Sequence, residues 1–266
     1  MKLTKKLLTL TTGILLLSGS YGTALAEEKK EEPKPYATGS TFFGNKYVWR
    51  GYELSKDSLV IQPSLTVGYT GIEVGLWGNL DTKDHYLKTD KANWNETDLT
   101  LSYTKEAGPT KLTGGAIYYS LDSADDSLEL FFRAAGNFLL SPTISIYREI
   151  LNYPGWYVNL GAAHSFNLTK TVTLDMAASI GYQISDTDKI VKYDSALMPT
   201  AEKYRALHDG LISVGMTIPF GKYFALKPMV GYSLALSDDA KRRIKGTGLS
   251  GKENFFLGGV SLTGNF

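Results

Sequence analysis

"SLVIQPSLTVGYTGIEVGLWGNLD", Ser58 to Asp81, is the stretch on which the reading of this chain turns. Its odd positions Leu59, Ile61, Pro63, Leu65, Val67 and Tyr69 are apolar, whereas the even ones include Ser58, Gln62, Ser64, Thr66 and Thr70. Past a tight turn at Gly71 the parity reverses, and Ile72, Val74, Leu76 and Leu80 oppose Glu73, Asn79 and Asp81. A side-chain period of two belongs to a strand with one apolar and one polar face. The stretch therefore predicts a hairpin.

The pattern recurs outward in both directions. Val172, Leu174, Met176, Ala178, Ile180, Tyr182 and Ile184 stand against Thr171, Thr173, Asp175, Ser179, Gln183 and Ser185. Phe224, Leu226, Val230, Tyr232, Leu234 and Leu236 share one face further on. Twelve segments are predicted, near residues 36–44, 58–70, 72–82, 95–105, 110–121, 127–138, 142–150, 155–167, 171–185, 209–219, 223–236 and 254–266. The fifth and seventh, "LTGGAIYYSL" and "ISIYREI", fit either parity, so their orientation stays open.

The connections sort by length. Those after the second, fourth, sixth, eighth and tenth segments are short, and most of the others are longer, the longest running over residues 186–208. An even strand count with short turns at one end and long loops at the other is the transmembrane barrel pattern. A soluble sandwich would also alternate but has no reason to sort its loops. In hydrocarbon every N–H and C=O must be paired, so such a sheet has to close. The expectation is an all-β, transmembrane, antiparallel up-and-down barrel of about 12 strands, with short periplasmic turns and longer extracellular loops.

The ends agree with export. Lys2, Lys5 and Lys6 precede an apolar run from Leu7 to Leu17, and Ala24-Leu25-Ala26 follows. A basic start, a core too short to span a bilayer and small residues at a cleavage site predict a signal peptide over 1–26. Residues 27–35, "EEKKEEPKP", are charged and Pro-bearing, and predict a disordered periplasmic lead-in to a barrel over 36–266. Cleavage removes three Lys and no acid, turning the net charge of +1 into about −2, which implies no nucleic-acid partner. The chain has no Cys, hence no disulfide framework, zinc–thiolate site or lipid-anchor cysteine. Its last nine residues, "GGVSLTGNF", alternate to a terminal Phe266. That Phe is expected at the periplasmic interface, as the signal read by the barrel-assembly machinery.

"NKYVWRGYELSKDSLVIQPSLTVGYTGIEVGLWGN" resembles the N-terminal end of the TorF-like family of outer-membrane porins of unknown function. The matching positions are Asn45, Tyr47, Val48, Trp49, Arg50, Gly51, Gln62, Pro63, Trp77, Gly78 and Asn79. Asn45-Lys46-Tyr47 stands where the family has Asp-Tyr. "GWYVNLGAAHSF" (Gly155 to Phe166) is similar to a later Gly-Trp-Tyr strand of the family. The resemblance implies a porin-like barrel and no particular substrate.

The parity of the strands sends Glu73, Asp81, Glu129, Arg133, Asp175 and Lys227 inward, because Arg or Lys facing lipid costs about 2–4 kcal/mol at the midplane. Mixed charges of this kind set solute selectivity in a pore, or else pair into a plug that fills a closed barrel. Arg50, between Trp49 and Tyr52, either folds into the lumen or snorkels at the outer rim. "GTGLSGKE" (Gly246 to Glu253) nearly spells a phosphate-binding loop, but its last position is Glu253 and a strand follows, so it reads as a flexible surface loop. His164 and Ser165 are adjacent on a strand and point to opposite faces, so they form no dyad. His85 and His208 fall in or beside long loops, without a catalytic or metal-binding constellation. No enzyme activity, cofactor or metal is expected. Two function classes follow. One is a passive pore for small polar solutes or ions, with Arg50, Glu73, Glu129, Arg133, Asp175 and Lys227 as pore-lining candidates. The other is a structural or adhesion barrel whose acidic loops, "DSADDS" and "SDDAKRR", bind lipopolysaccharide or a partner.

Overall fold

The structure, a computed structural model, describes residues 34–85 and 91–266. In chain order its elements are β1 (Tyr36–Gly44), β2 (Val48–Trp49), β3 (Tyr52–Glu53), β4 (Val60–Tyr69), β5 (Ile72–Asp81), β6 (Asn93–Ala107), β7 (Thr110–Leu121) and β8 (Ser127–Gly136). There follow β9 (Thr143–Glu149), β10 (Gly155–Asn167), β11 (Thr173–Ser185), β12 (Val191–Tyr193), β13 (Pro199–Lys203), β14 (Arg205–Phe220), β15 (Phe224–Ala235), α1 (Asp238–Thr247) and β16 (Phe255–Asn265). The twelve long strands form one closed antiparallel barrel in which each pairs with the next, and β16 returns to β1. That seam runs from Thr38↔Asn265 to Gly44↔Gly259. Phe266 extends it, exchanging two backbone hydrogen bonds with Ala37 at 3.1 and 2.9 Å. No barrel strand is left with an open edge, as a hydrocarbon surrounding demands. The predicted signal peptide, and residues 27–33 of the lead-in, lie outside the described residues.

The parity of the two open strands is resolved. On β7 Tyr119 is buried inside while Tyr118 faces out, and on β9 Thr143, Ser145, Tyr147 and Glu149 are buried inside. Two loops differ from expectation. Residues 186–208 are not one long loop: they carry the β12–β13 hairpin, and β14 begins at Arg205. Within "RALHDG" Ala206 and His208 turn inward and Leu207 outward, an alternation that the polar inward residues disguise. "SDDAKRR" is not an acidic loop, and "GTGLSGKE" is not wholly a free surface loop. Together they hold helix α1 and the turn after it, and the backbone N–H of Ser250 donates to Glu53 at 2.7 Å. Ser237 caps the helix by accepting from the N–H of Ala240, and Asp238 and Asp239 fill the first turn.

The exterior is apolar all round: Leu65, Val67, Leu76, Leu101, Leu130, Leu160, Ile180, Ile212, Val230 and Leu262 are exposed. A band of that extent in water would be an aggregation surface; in a bilayer it is the face a spanning barrel must present. At the short-turn end Phe220 stacks on Phe224 with ring centroids 5.8 Å apart, and Tyr223 on Phe266 at 5.5 Å. A local cluster of this kind fits a membrane interface, where aromatic girdles lie. A cysteine at Ile180 should be shielded by lipid and one at Ser179 should react with a small aqueous thiol reagent. Labelling of the two single-cysteine variants in vesicles checks this, and the reverse pattern would shift the register by one.

Candidate functional site

The connection from β1 to β4 does not arch away from the barrel; it folds down into the lumen. The reason is local. Val48↔Glu53 and Trp49↔Tyr52 pair as a small hairpin whose two turn residues, Arg50 (φ 47°) and Gly51 (φ 79°), are both left-handed. Two positive-φ residues make the turn that matches the twist of a tight hairpin. Gly51 also allows a close approach, since a Cβ there would stand 2.9 Å from the Cβ of Asp209. Arg50 occupies a conformation that costs a residue with a Cβ, so the surroundings must hold it there.

They do so from every side. Arg50 gives its guanidinium to Glu129 in a two-pronged ion pair, Nη1–Oε1 at 2.7 Å and Nη2–Oε2 at 2.8 Å. Glu129 Oε2 accepts a further hydrogen bond from Tyr119 at 2.8 Å. The Arg50 guanidinium carbon lies 4.4 Å from the Trp49 ring, 4.5 Å from Tyr147 and 4.2 Å from Tyr157. The Tyr157 hydroxyl in turn donates to Asp209 at 3.0 Å. Only 10% of the Arg50 side chain and 4% of the Glu129 side chain are exposed. Arg50 is therefore in the lumen and not at the outer rim.

This layer divides the interior. On the long-loop side lies a cavity of about 400 Å³ that reaches Ser123, Ala124 and Lys189. On the other side is one of about 140 Å³, bordered by Asp98, Arg133, Asn159 and Ser179. Trp49, Arg50, Tyr119 and Tyr157 line both. A third, about 60 Å³, lies beside Asp175, Lys227 and Thr263.

The other inward charges have separate partners. Glu73 is buried and accepts from the hydroxyl of Tyr36, and Asp81 is buried and accepts from Ser58. Arg133 donates to Ser145 at 3.3 Å and Tyr147 at 3.2 Å. Asp175 accepts from Ser165, Thr173 and Thr217. Lys227 shares its small cavity. Among the described residues, opposite charges of the six pore-lining candidates meet directly in one place, Arg50 with Glu129.

The residues of the N-terminal motif gather around the inserted hairpin. Tyr47 packs on Trp77 with ring centroids 5.6 Å apart, within a cluster that includes Phe42, Val60 and Met229. Gln62 donates to Asn79 at 3.0 Å, and Asn45 ties the end of β1 to Gly258 of β16. At Gly78 a Cβ would collide with the ring of Trp94. Val48 and Tyr52 pack against Ala240, Ile244, Phe255 and Leu257, which joins α1 to the hairpin. His208 corrects its placement beside a loop. It sits on β14, fully buried, 4.7 Å from the Tyr52 ring, and its Nδ1 lies 2.6 Å from the hydroxyl of Tyr204. Burial holds that Tyr204 phenol above its ordinary range, so it stays protonated. Among the described residues no three His, Asp or Glu side chains are grouped to hold a metal ion.

Tyr119, Tyr147, Tyr157 and Asp209 were missed by sequence reading. The first two lie on the strands of ambiguous parity, and nothing local says that a turn tip from elsewhere will meet them.

No family model matches the chain, and no curated protein matches it. Several solved barrels are similar in structure. One is an outer membrane channel from Pseudomonas putida F1, at 9% identity and a TM-score of 0.49, covering 92% of this chain and 100% of that one. The translocator domain of the autotransporter NalP from Neisseria meningitidis gives 11% and 0.42, with 90% of each chain covered. A loop-deletion mutant of OmpT from Vibrio cholerae gives 7% and 0.40, covering 88% of this chain and 99% of that one.

Proposed function

We propose that the protein is an outer-membrane channel of the porin kind, passing small polar solutes or ions through a lumen narrowed at Arg50. The observation that carries this reading is the interior itself. Cavities whose largely aromatic walls carry charged and hydroxyl groups lie on both sides of one thin layer, in which a loop tip meets Glu129 and tyrosines of the barrel wall. A loop can move where a ladder of strands cannot, and inward charges in a confined neck bias which ions pass. The resemblance of the N-terminal hairpin to TorF-like porins points the same way. The barrel sits in outer-membrane lipid and lipopolysaccharide, and the strand ending at Phe266 serves the assembly machinery as its signal.

A second reading has its own observation: the Arg50–Glu129 pair and its three aromatic neighbours fill the lumen at one level. The barrel would then be closed, with a structural or adhesive role. Purified mature protein in planar lipid bilayers separates the two. The channel reading expects discrete conductance with weak ion preference, and a reversal potential shifted towards cations in Arg133→Glu. No conductance, or an unmoved reversal potential in that variant, supports the closed barrel or removes Arg133 from the path.

A further inference from the structure

Arg243, on helix α1, is a buried cation at the wall of the outer cavity. Its Nε donates to the Tyr52 hydroxyl at 2.8 Å and its Nη1 to the carbonyl of Val191 at 2.7 Å. The rings of Tyr52, Tyr193 and Tyr204 stand 5.6, 5.7 and 5.3 Å from its guanidinium carbon. Among the described residues no carboxylate lies within ion-pair distance of it. A cation taken out of water without an anion is expensive, and ring faces and one carbonyl offset that only in part. The site lacks an anion.

The hydrogen bonding around the cavity says which groups remain to meet a ligand. The four carboxylates that line the cavity are already engaged: Glu129 by Arg50 and Tyr119, Glu53 by Lys46 and the Ser250 N–H, Glu149 by Ser127 and the N–H groups of Leu151, Asn152 and Tyr153, and Glu96 by Tyr47 and Asp98. The Tyr52 hydroxyl, which accepts from Arg243, donates to Gln183 Oε1 at 2.8 Å. Gln183 thereby keeps its amide N–H groups, and Arg243 its second terminal nitrogen, close to one phenol oxygen at the cavity wall. Beside Arg243 the groups left uncommitted are donors. Around them the wall is aromatic and aliphatic, with Trp49, Leu54, Leu121 and Tyr153.

We infer that the outer cavity is a binding site for a small organic carboxylate with an apolar or aromatic body, its carboxylate held by Arg243 and Gln183. Two-pronged recognition is what a guanidinium offers a carboxylate. The volume of about 400 Å³ falls within the range of small-molecule sites, roughly 300–1,000 Å³. The site stands whether or not the lumen conducts, because it lies wholly on the long-loop side of the Arg50 layer.

Titration calorimetry of the detergent-solubilised full barrel with benzoate, benzamide and benzylamine tests it. Benzoate should bind at least tenfold more tightly than either analogue, and Arg243→Gln should weaken benzoate at least tenfold while leaving the heat-modifiable mobility of the barrel unchanged. Equal binding of benzoate and benzamide, tighter binding of benzylamine, or no heat from benzoate at millimolar concentration would overturn it. The comparison of three ligands on the unmodified protein decides the matter even if the variant does not fold.

Discussion

Replacing Arg50 with Ala is expected to cost about 3–5 kcal/mol of barrel stability, the range for breaking a buried ion pair from one side. The magnitude follows from what is left behind. Glu129 is 3% exposed, and in the variant its carboxylate would keep the hydrogen bond from Tyr119 and lose both from Arg50. The ring faces of Trp49, Tyr147 and Tyr157 would lose the cation between them as well. Removing the carboxylate too should recover much of the loss, because an uncharged hole is cheaper than an unpaired charge. The measurement is a double-mutant cycle on Arg50→Ala and Glu129→Ala by urea titration of folding into short-chain phosphatidylcholine bilayers. Additive losses from the two changes would mean that the pair is not coupled, and the plug would then owe its place to aromatic packing alone.

How far the sequence spoke for itself differs between wall and interior. The wall was legible because alternation is a local property: the positions of Leu59 to Tyr69 and Ile72 to Leu80 each declare a face without reference to any other strand. So was the closing seam, since a spanning sheet can leave no edge. The interior depended on long-range meetings. Arg50 and Glu129 are 79 positions apart, and Arg243 lies 191 from Tyr52, so no spacing rule links them. The turn in "WRGY" carried a usable hint, because Gly after Arg permits a tight two-residue hairpin, but its direction into or out of the lumen is a packing outcome. The helix offered another hint in "SDDA", a capping Ser followed by two acids, which reads as a helix start once the segment is not assumed to be a loop.

Deleting the inserted hairpin should have the largest effect on function. Gly44 pairs with Val60 at the top of the β1–β4 ladder, so a short Gly-Ser turn in place of residues 46–56 can join the two strands without disturbing the register. The deletion removes Tyr47, Trp49 and Arg50 from the layer that separates the cavities on its two sides. Glu129 would then stand in a widened, water-filled lumen, so its charge is solvated and the penalty of the single Arg50 variant does not arise. What is lost instead is the packing of Tyr47 on Phe42, Val60, Trp77 and Met229 and of Val48 and Tyr52 on Ala240, Ile244, Phe255 and Leu257, of the order of 1.5–3 kcal/mol for each large side chain left in contact with water. The barrel ladder, complete without the hairpin, is expected to carry that loss. In planar bilayers the shortened protein should conduct several-fold more than the parent, with Arg50→Ala, which keeps the hairpin, in between. A folded deletion variant with unchanged conductance would show that the hairpin does not set the neck. The restriction would then lie with α1 beside the outer cavity or near the small cavity beside Asp175 and Lys227.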